Sequence, residues 1–356
     1  MADIQKDYDI MFMQRAVSLA KKGGGRTSIN PLVGAVITKN NRIVGTGFHR
    51  RRGEAHAEVV ALTDAGARAK NATLYVNLEP CCSTGHTPPC VHAICRAGIK
   101  RVVIGMIDPN PAVNGKGMEF LKKNNIKVTT NVLSAAAEEI NRIYKKFITT
   151  KTPYVILKIA VSEDGKLSGY KGKYITSEPS RRWVHSLRSR VGAVLVGINT
   201  VLADDPLLTD RLVGRNNPAR VVIDPHLRIP LNANFLKPGV KRFIITDSGN
   251  EPDKIKRLTE AGVNFIYLEG KEYSLKTILK RLTEAGINSI LVEGGGKIFA
   301  QFFNEALYDE IFLFMAPHRI EKGLSISENL LQYVLSNYRK KEKSGEDLLY
   351  HVYRHN

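Results

Sequence analysis

The stretch HAEVVALTDAGARAKNATLYVNLEPCCSTGHTPPC, residues 56–90, decides how this chain folds. His56-Ala-Glu58 stands where a helix should begin. Thr73 to Glu79 reads as a strand that ends in Pro80-Cys81, and Cys90 follows Pro88-Pro89 at the start of a second helix. One imidazole and two thiolates offer a zinc ion three ligands and leave the fourth tetrahedral position for water. Structural zinc sites normally close with four protein ligands. Glu58 is not needed as a ligand and is left to move protons.

On an ideal helix His56 and Glu58 lie about 200° apart, so they share a target only from the first turn, reaching past its open end. A thiolate at Cys90 meets the positive end of its helix dipole, which lowers its pKa. A strand end at Cys81 comes beside both helix starts. This is the pattern of a zinc-dependent base deaminase. Zinc would bring the pKa of a water in the open position toward about 7. Glu58 would carry the proton to the ring nitrogen and then help the amine leave as ammonia. Cys82 as a fourth ligand would instead close the site as a structural one. Cys95 is expected as a small core thiol.

On either side of this stretch the pattern is layered. Residues 8–22 place Ile10, Met13, Val17 and Ala20 at helical spacing and stop at Gly23-Gly24-Gly25. Strands 33–37 and 43–47 flank Asn40-Asn41 as a hairpin. Helix 56–69, strand 73–79, helix 90–97, strand 101–106, helix 116–124, strand 126–131 and helix 133–146 complete an α/β region with helices on both faces. Thr149-Thr-Lys-Thr-Pro153 lacks periodicity and reads as a linker, so domains of 1–149 and 150–356 are expected. The second starts with strand 154–160. Strands 193–197, 219–223, 242–246, 264–267, 289–293, 310–315 and 347–353 follow, with helices near 178–190, 251–262, 274–284 and 297–307. Residues 318–346 are polar and weakly patterned.

Hydrophobic residues make up 43% of the 356-residue chain and charged ones 24%, as in ordinary globular proteins. The first residues lack the basic start and apolar core of a signal peptide, and no apolar run approaches the ~18 residues of a membrane span. All four cysteines cluster between Cys81 and Cys95, which favours metal binding in a reducing cytoplasm over a disulfide framework. A net charge of +19 suits nucleic acid, anionic small molecules or a plain basic surface. Because the excess is scattered, phosphorylated small molecules are the expected partners, with no nucleic acid and no membrane.

Asn30-Pro-Leu-Val-Gly-Ala-Val-Ile37, Gly47-Phe-His49, Gly53-Glu-Ala-His-Ala-Glu58 and Glu79-Pro-Cys81 resemble the cytidine-deaminase-like superfamily. The long step from Cys81 to Cys90 through Thr87-Pro-Pro, with Asp108-Pro-Asn-Pro111 and Gly115-Lys-Gly117, is similar to a narrower family, the bifunctional deaminase/reductases of riboflavin biosynthesis. The resemblance implies a cytidine-deaminase-like α/β/α sandwich. His56, Cys81 and Cys90 would be its zinc ligands and Glu58 its catalytic residue, while Asn30 and His49 would hold substrate. Ser83 stands where that family usually has a histidine, and His86 where it has lysine or arginine. Both changes remove side chains expected near a ribose phosphate, and a histidine is only partly charged at neutral pH.

In the second half, Lys158-Ile-Ala-Val-Ser-Glu-Asp-Gly165 could be a strand and a turn alone. Trp183, Val184 and Leu187 form an apolar stripe after a Thr176-Ser177 cap, with Arg188 on the same side. An arginine there needs a phosphate or carboxylate partner; a glutamate in an ordinary ion pair would also serve. GINTVLADDPLL (197–208) precedes Arg211, and Asp204-Asp205-Pro206 by itself reads as a loop. Ile290-Leu-Val-Glu-Gly-Gly-Gly-Lys297 is a strand, a glycine turn and a helix start, whose bare amides suit a pyrophosphate. Together these segments resemble the same family's reductase half, a dihydrofolate-reductase-like α/β domain that uses NADPH. The resemblance assigns Ala160, Tyr174, Thr200, Asp204, Gly295, Gly296 and Lys297 to NADPH. It assigns Gly172, Arg188, Leu208, Arg211 and Glu293 to substrate. Tyr174 takes the place of the family's tryptophan.

The activity so implied is zinc-dependent hydrolytic deamination of 2,5-diamino-6-(5-phosphoribosylamino)pyrimidin-4-one, then NADPH-dependent reduction of the ribosyl chain to ribityl. The setting is cytoplasmic, and a homo-oligomer is left open. A nucleic-acid deaminase with an accessory domain and a zinc-stabilised binding protein without catalysis are the competing alternatives.

Overall fold

Ala35 and Ile37 belong to one apolar cluster while Val36, between them, belongs to another; Leu74 and Val76 flank Tyr75, and Val102 and Ile104 flank Val103, in the same way. Successive strand residues point to opposite faces, so this sheet is covered on both. The computed structural model describes residues 2–25, 27, 29–83, 88–172, 174–214, 216–268 and 274–354, and the chain divides into units Met1–Lys151 and Thr152–Asn356.

The first unit runs α1 (Ala2–Ala20), β1 (Gly34–Lys39), β2 (Arg42–Phe48), α2 (Ala57–Ala65), β3 (Thr73–Leu78), α3 (Cys90–Arg96), β4 (Arg101–Met106), α4 (Lys116–Lys123), β5 (Lys127–Thr129) and α5 (Ser134–Thr150). Its sheet has the order β2-β1-β3-β4-β5. β1 is antiparallel to both neighbours, and β3, β4 and β5 are parallel. Phe12, Met13, Ala16 and Leu19 of α1 cover one face; Ala57 and Ala61 of α2, with Val91 and Ile94 of α3, cover the other. Because β3 and β4 are parallel, the segments after them, Glu79–Cys81 and Asp108–Asn110, leave the sheet at one edge. The linker expected at 149–153 is shorter. Thr149 and Thr150 extend α5, their hydroxyls donating to the Lys145 and Lys146 carbonyls, a local bond that hydrophobic periodicity does not register.

The second unit contains β6 (Tyr154–Val161), α6 (Glu178–Arg188), β7 (Ala193–Gly197), α7 (Ile198–Asp204), β8 (Ala219–Ile223), β9 (Arg242–Asp247), α8 (Pro252–Glu260), β10 (Asn264–Leu268), α9 (Leu275–Glu284), β11 (Ser289–Val292), α10 (Gly296–Asn304), β12 (Glu310–Met315), α11 (Glu328–Asn337), β13 (Lys340–Ser344) and β14 (Asp347–Tyr353). Strand order is β10-β9-β8-β7-β11-β6-β12-β14-β13. From β10 to β12 every pairing is parallel. Such strands are buried on both faces and read as apolar runs, as consecutive buried Tyr154, Val155, Ile156 and Leu157 show. The chain winds from β7 to β10 toward one edge, then returns to place β11 on the other side of β7. The order reverses there, and ligands of such sheets bind at the carboxyl ends of the strands flanking the reversal.

Four expectations need correction. Ile198–Asp204 is helix α7, so Asp204 ends a helix rather than lying in a loop. The weakly patterned 318–346 segment contains α11, whose buried residues are Leu330 and Val334, and β13, an edge strand of sequence KKEKS. Lysine-rich edges resist further pairing and leave no apolar alternation to read. The Ser177 hydroxyl does not cap α6; it donates to Asp347 Oδ2 at 2.7 Å and lies 3.0 Å from the Ser344 carbonyl. Asp164 does more than make a turn, accepting from the Ser162 hydroxyl and from the backbone N–H of Ile320 and Glu321.

Candidate active sites

His56 is the extended N-cap residue of α2 and Cys90 the first residue of α3, while Cys81 lies just past β3. One ligand atom from each falls within 4.8 Å of the others. His56 Nδ1 is 3.2 Å from Cys90 Sγ and 3.5 Å from Cys81 Sγ, and the Cys90 N–H donates to Cys81 Sγ at 3.3 Å. The hydrogen bond from Cys90, helped by His56, holds the Cys81 thiol down at about 4, and Cys90, which keeps the shared proton, is pushed up. The hydrogen bond to Cys81 also raises His56. Two sulfurs and an imidazole nitrogen converging at this spacing fit a zinc ion with one position left over. Cys82 and Cys95 instead pack against the apolar cluster of Val91 and Ile94, so among the described residues Cys82 does not close the cluster.

Glu58 is 3% exposed, and burial first, then the Cys81 thiolate, push its carboxyl up to about 7 against the pull of His56. A carboxyl so poised can take and return a proton near neutrality. The cluster opens on a cavity of about 280 Å³ lined by Asn30, His49, Glu58, Ser83 and Asp108 among others. Asn30 Nδ2 lies 3.1 Å from His49 Nε2, and His49 Nδ1 3.3 Å from the Ala55 carbonyl oxygen; burial lowers the His49 pKa. Asn77 and Asn141 hold the backbone of Leu32, and Asn77 also that of Gly34, and thereby the Asn30–Val33 wall, through bonds of 2.8–3.0 Å. The structure places Ser83 on the cavity, while His86 lies outside the described residues. Asp108 was not among the expected site residues. It accepts from the Tyr144 hydroxyl and the Asn110 N–H, each at 2.9 Å, and burial pushes it up to about 6. Asp108-Pro-Asn-Pro111 was its only signal in the sequence.

In the second unit, Glu293 follows β11 and Arg188 ends α6. The guanidinium grips the carboxylate with Nε and Nη2, each at 2.6 Å, and Nη1 donates to the Thr209 carbonyl at 3.0 Å. Arg188 therefore has a glutamate for its partner, the ordinary ion pair the sequence also allowed. Arg211, three residues past the left-handed Leu208 (φ 49°), makes no ion pair or hydrogen bond among the described residues. Lys158 was also missed. It interrupts the apolar run of β6, burial lowers its pKa, and Glu293 and Arg188 are the charges that act on it. Buried His185, one turn before Arg188, is driven down to about 4 by burial and by the Arg188 and Arg211 charges, and its Nδ1 has no hydrogen-bond partner among the described residues.

The glycine turn fits a dinucleotide. Gly295 has φ 87°, and a Cβ on Gly294 would stand 2.5 Å from Thr200 Oγ1, so α7 and the turn before α10 approach as backbone to side chain at the strand-order reversal. Lys297 is exposed on the first turn of α10, and Asp204, raised by burial, ends α7. Ala160 lies in β6 opposite Phe314. Tyr174 stacks under the Arg181 guanidinium at 4.3 Å, and Gly172 lies against the Tyr170 ring. The structure thus joins Arg188, Glu293, Thr200 and the glycine turn into one connected patch, with Gly172 and Tyr174 on a separate segment.

A metal-dependent deaminase and a dinucleotide-dependent reductase thus share one polypeptide. Residues 6–106 match the cytidine and deoxycytidylate deaminase zinc-binding region, and residues 153–324 match the RibD C-terminal domain. The riboflavin biosynthesis protein RibD of Aquifex aeolicus is 44% identical over 352 residues, covering 97% of this chain and 98% of that one. Its counterpart in Actinobacillus pleuropneumoniae is 36% identical, covering 96% and 94%. Among solved structures, Acinetobacter baumannii RibD superposes with a TM-score of 0.86 at 33% identity, over 98% of this chain and 99% of that one. A Thermotoga maritima diaminohydroxyphosphoribosylaminopyrimidine deaminase/5-amino-6-(5-phosphoribosylamino)uracil reductase does so with 0.87 at 35%, over 99% and 100%. The chain belongs to the RibD family of riboflavin biosynthesis proteins. It is a bifunctional enzyme with a zinc-dependent deaminase and an NADPH-dependent reductase. No described helix is long and apolar enough to cross a membrane.

Proposed function

We propose that the first unit hydrolytically deaminates 2,5-diamino-6-(5-phosphoribosylamino)pyrimidin-4-one and that the second reduces the ribosyl chain of the product to ribityl. The observation that carries this reading is the convergence of His56, Cys81 and Cys90 beside buried Glu58, in one chain with a glycine turn at a strand-order reversal. His56, Cys81 and Cys90 would hold zinc, which when bound supplies the acidity that activates water. Glu58 takes one proton of the water and passes it to the ring nitrogen, then takes the remaining hydroxyl proton and gives it to the departing amine, which leaves as ammonia. Asn30 and His49 orient the ring against Glu58. In the second unit the amides of Gly295 and Gly296, with Lys297, Thr200, Asp204, Ala160 and Tyr174, would seat NADPH, the hydride source. Arg211 and Lys158 offer positive charge to a phosphorylated substrate, with Leu208 and Gly172 beside it. Arg188 acts through Glu293, which it holds in place.

The reading carries a cytoplasmic small-molecule enzyme that does not use nucleic acid, with self-association left to measurement. The test is Glu58→Ala in the full chain. Ammonia release should collapse while NADPH oxidation with supplied deaminated substrate persists. Equal loss of both activities in a folded variant would refute separate sites.

A further inference from the structure

Glu79 is 3% exposed and immediately precedes Pro80-Cys81. Its backbone N–H donates to the Met106 carbonyl at 3.0 Å, continuing the β3–β4 register past the strands. Its carboxylate then gathers three backbone donors from the chain that follows β4. Oε2 accepts from Asp108 at 3.1 Å and Gly115 at 2.9 Å, and Oε1 accepts from Met118 at 3.1 Å. Gly115, the N-cap residue of α4, has φ 89° and no side chain to offer, so the orphan N–H groups of that helix start are served from another strand. There is no slack in the joint. A Cβ on Gly117 would overlap the Pro80 carbonyl oxygen. Between these anchors lies the segment that brings Asp108, Asn110 and Val113 to the cavity, and Asp108 is held in turn by Tyr144.

We infer that Glu79 is a positioning residue for deamination, a single carboxylate that sets the distance between the Cys81 metal-ligand segment and the cavity wall formed by the segment after β4. The inference rests on the reading of the first unit as the deaminase and adds to it a residue that acts through the backbone segments it holds together. A ring held by the Asp108 wall meets the Glu58 proton only if that wall keeps its distance from Cys81, and a misplacement of about 1 Å can cost about 10²-fold in rate. Glutamine at position 79 keeps the shape but replaces one acceptor oxygen with a donor, so one of the three N–H groups loses its partner.

The test measures ammonia release, bound zinc and NADPH oxidation in the full chain for Glu79→Gln and, independently, Gly117→Ala, which strains the same joint from the α4 side. The expected result is a fall in kcat/KM per bound zinc of about 10²-fold in both variants, with KM raised, zinc near the parent level and NADPH oxidation unchanged. A purely structural role would lower zinc content and active fraction together and leave KM and the rate per zinc at parent values. That outcome in both variants overturns the inference. If the parent itself releases no ammonia, the deaminase reading fails, and the inference with it.

Discussion

Removing the Glu293 carboxylate should destabilise the second unit more than removing the whole ion pair. The Arg188 and Glu293 side chains are 13% and 5% exposed and meet through two bonds of 2.6 Å. Glu293→Ala leaves the guanidinium buried with the Thr209 carbonyl, and it takes from Lys158 the nearby charge that favours its ammonium. Breaking one side of a buried pair costs about 3–5 kcal/mol. For a unit spanning residues 152–356, each kcal/mol shifts Tm by about 2–4 °C, so the expected fall is roughly 6–20 °C. The double variant Arg188→Met/Glu293→Leu removes both charges and keeps apolar volume, and such replacements are often neutral; it should melt within about 3 °C of the parent. Calorimetry of the full chain reads both values, the second unit's transition being the one that NADPH shifts upward. A loss below about 2 °C for Glu293→Ala, or a double variant as unstable as the single, would refute the argument from an uncompensated buried charge.

Three further outcomes are expected. Cys90→Ser should lose zinc in metal analysis while Cys82→Ser retains it; equal retention would show that the cluster of His56, Cys81 and Cys90 is not the metal site. Arg211→Ala should raise KM for the phosphorylated substrate of reduction by roughly 10- to 100-fold, the scale of a charged hydrogen bond, with little change in Tm, since this guanidinium has no ion-pair or hydrogen-bond partner to abandon among the described residues. His185 is pushed down from 6.5 to about 4, so its neutral form is favoured by folding. Its contribution is fully present above pH 6.5 and is lost as pH falls toward about 4, because the unfolded chain takes up the proton first. His185→Gln should flatten that part of the Tm–pH curve, and an unchanged slope between pH 6.5 and 4 would show that the imidazole is not titrating there.

What could be read in the chain without its structure is what neighbours in sequence determine. Thiolates and an imidazole at a strand end and two helix starts already define a metal chemistry, because ligand type and local geometry are short-range properties. Apolar periodicity likewise located most strands and helices. It failed where the physical signal is not periodic: at α7, at the lysine-rich edge β13, and at Thr149 and Thr150, whose hydroxyls prolong α5.

Only the tertiary structure decided the pairings. Arg188 and Glu293 are 105 residues apart and meet because β11 inserts beside β7, a strand order that no local pattern encodes. The same packing supplied Glu293 as the carboxylate partner of Arg188 and left Arg211 without an ion pair or hydrogen bond among the described residues. Glu79 reads in the sequence as part of a metal motif. Its actual partners, the amides of Asp108, Gly115 and Met118, come from the next βα unit, which parallel pairing of β3 and β4 brings to the same edge. Donor chemistry is written residue by residue, whereas the distances at which donors meet are set by which strands lie side by side.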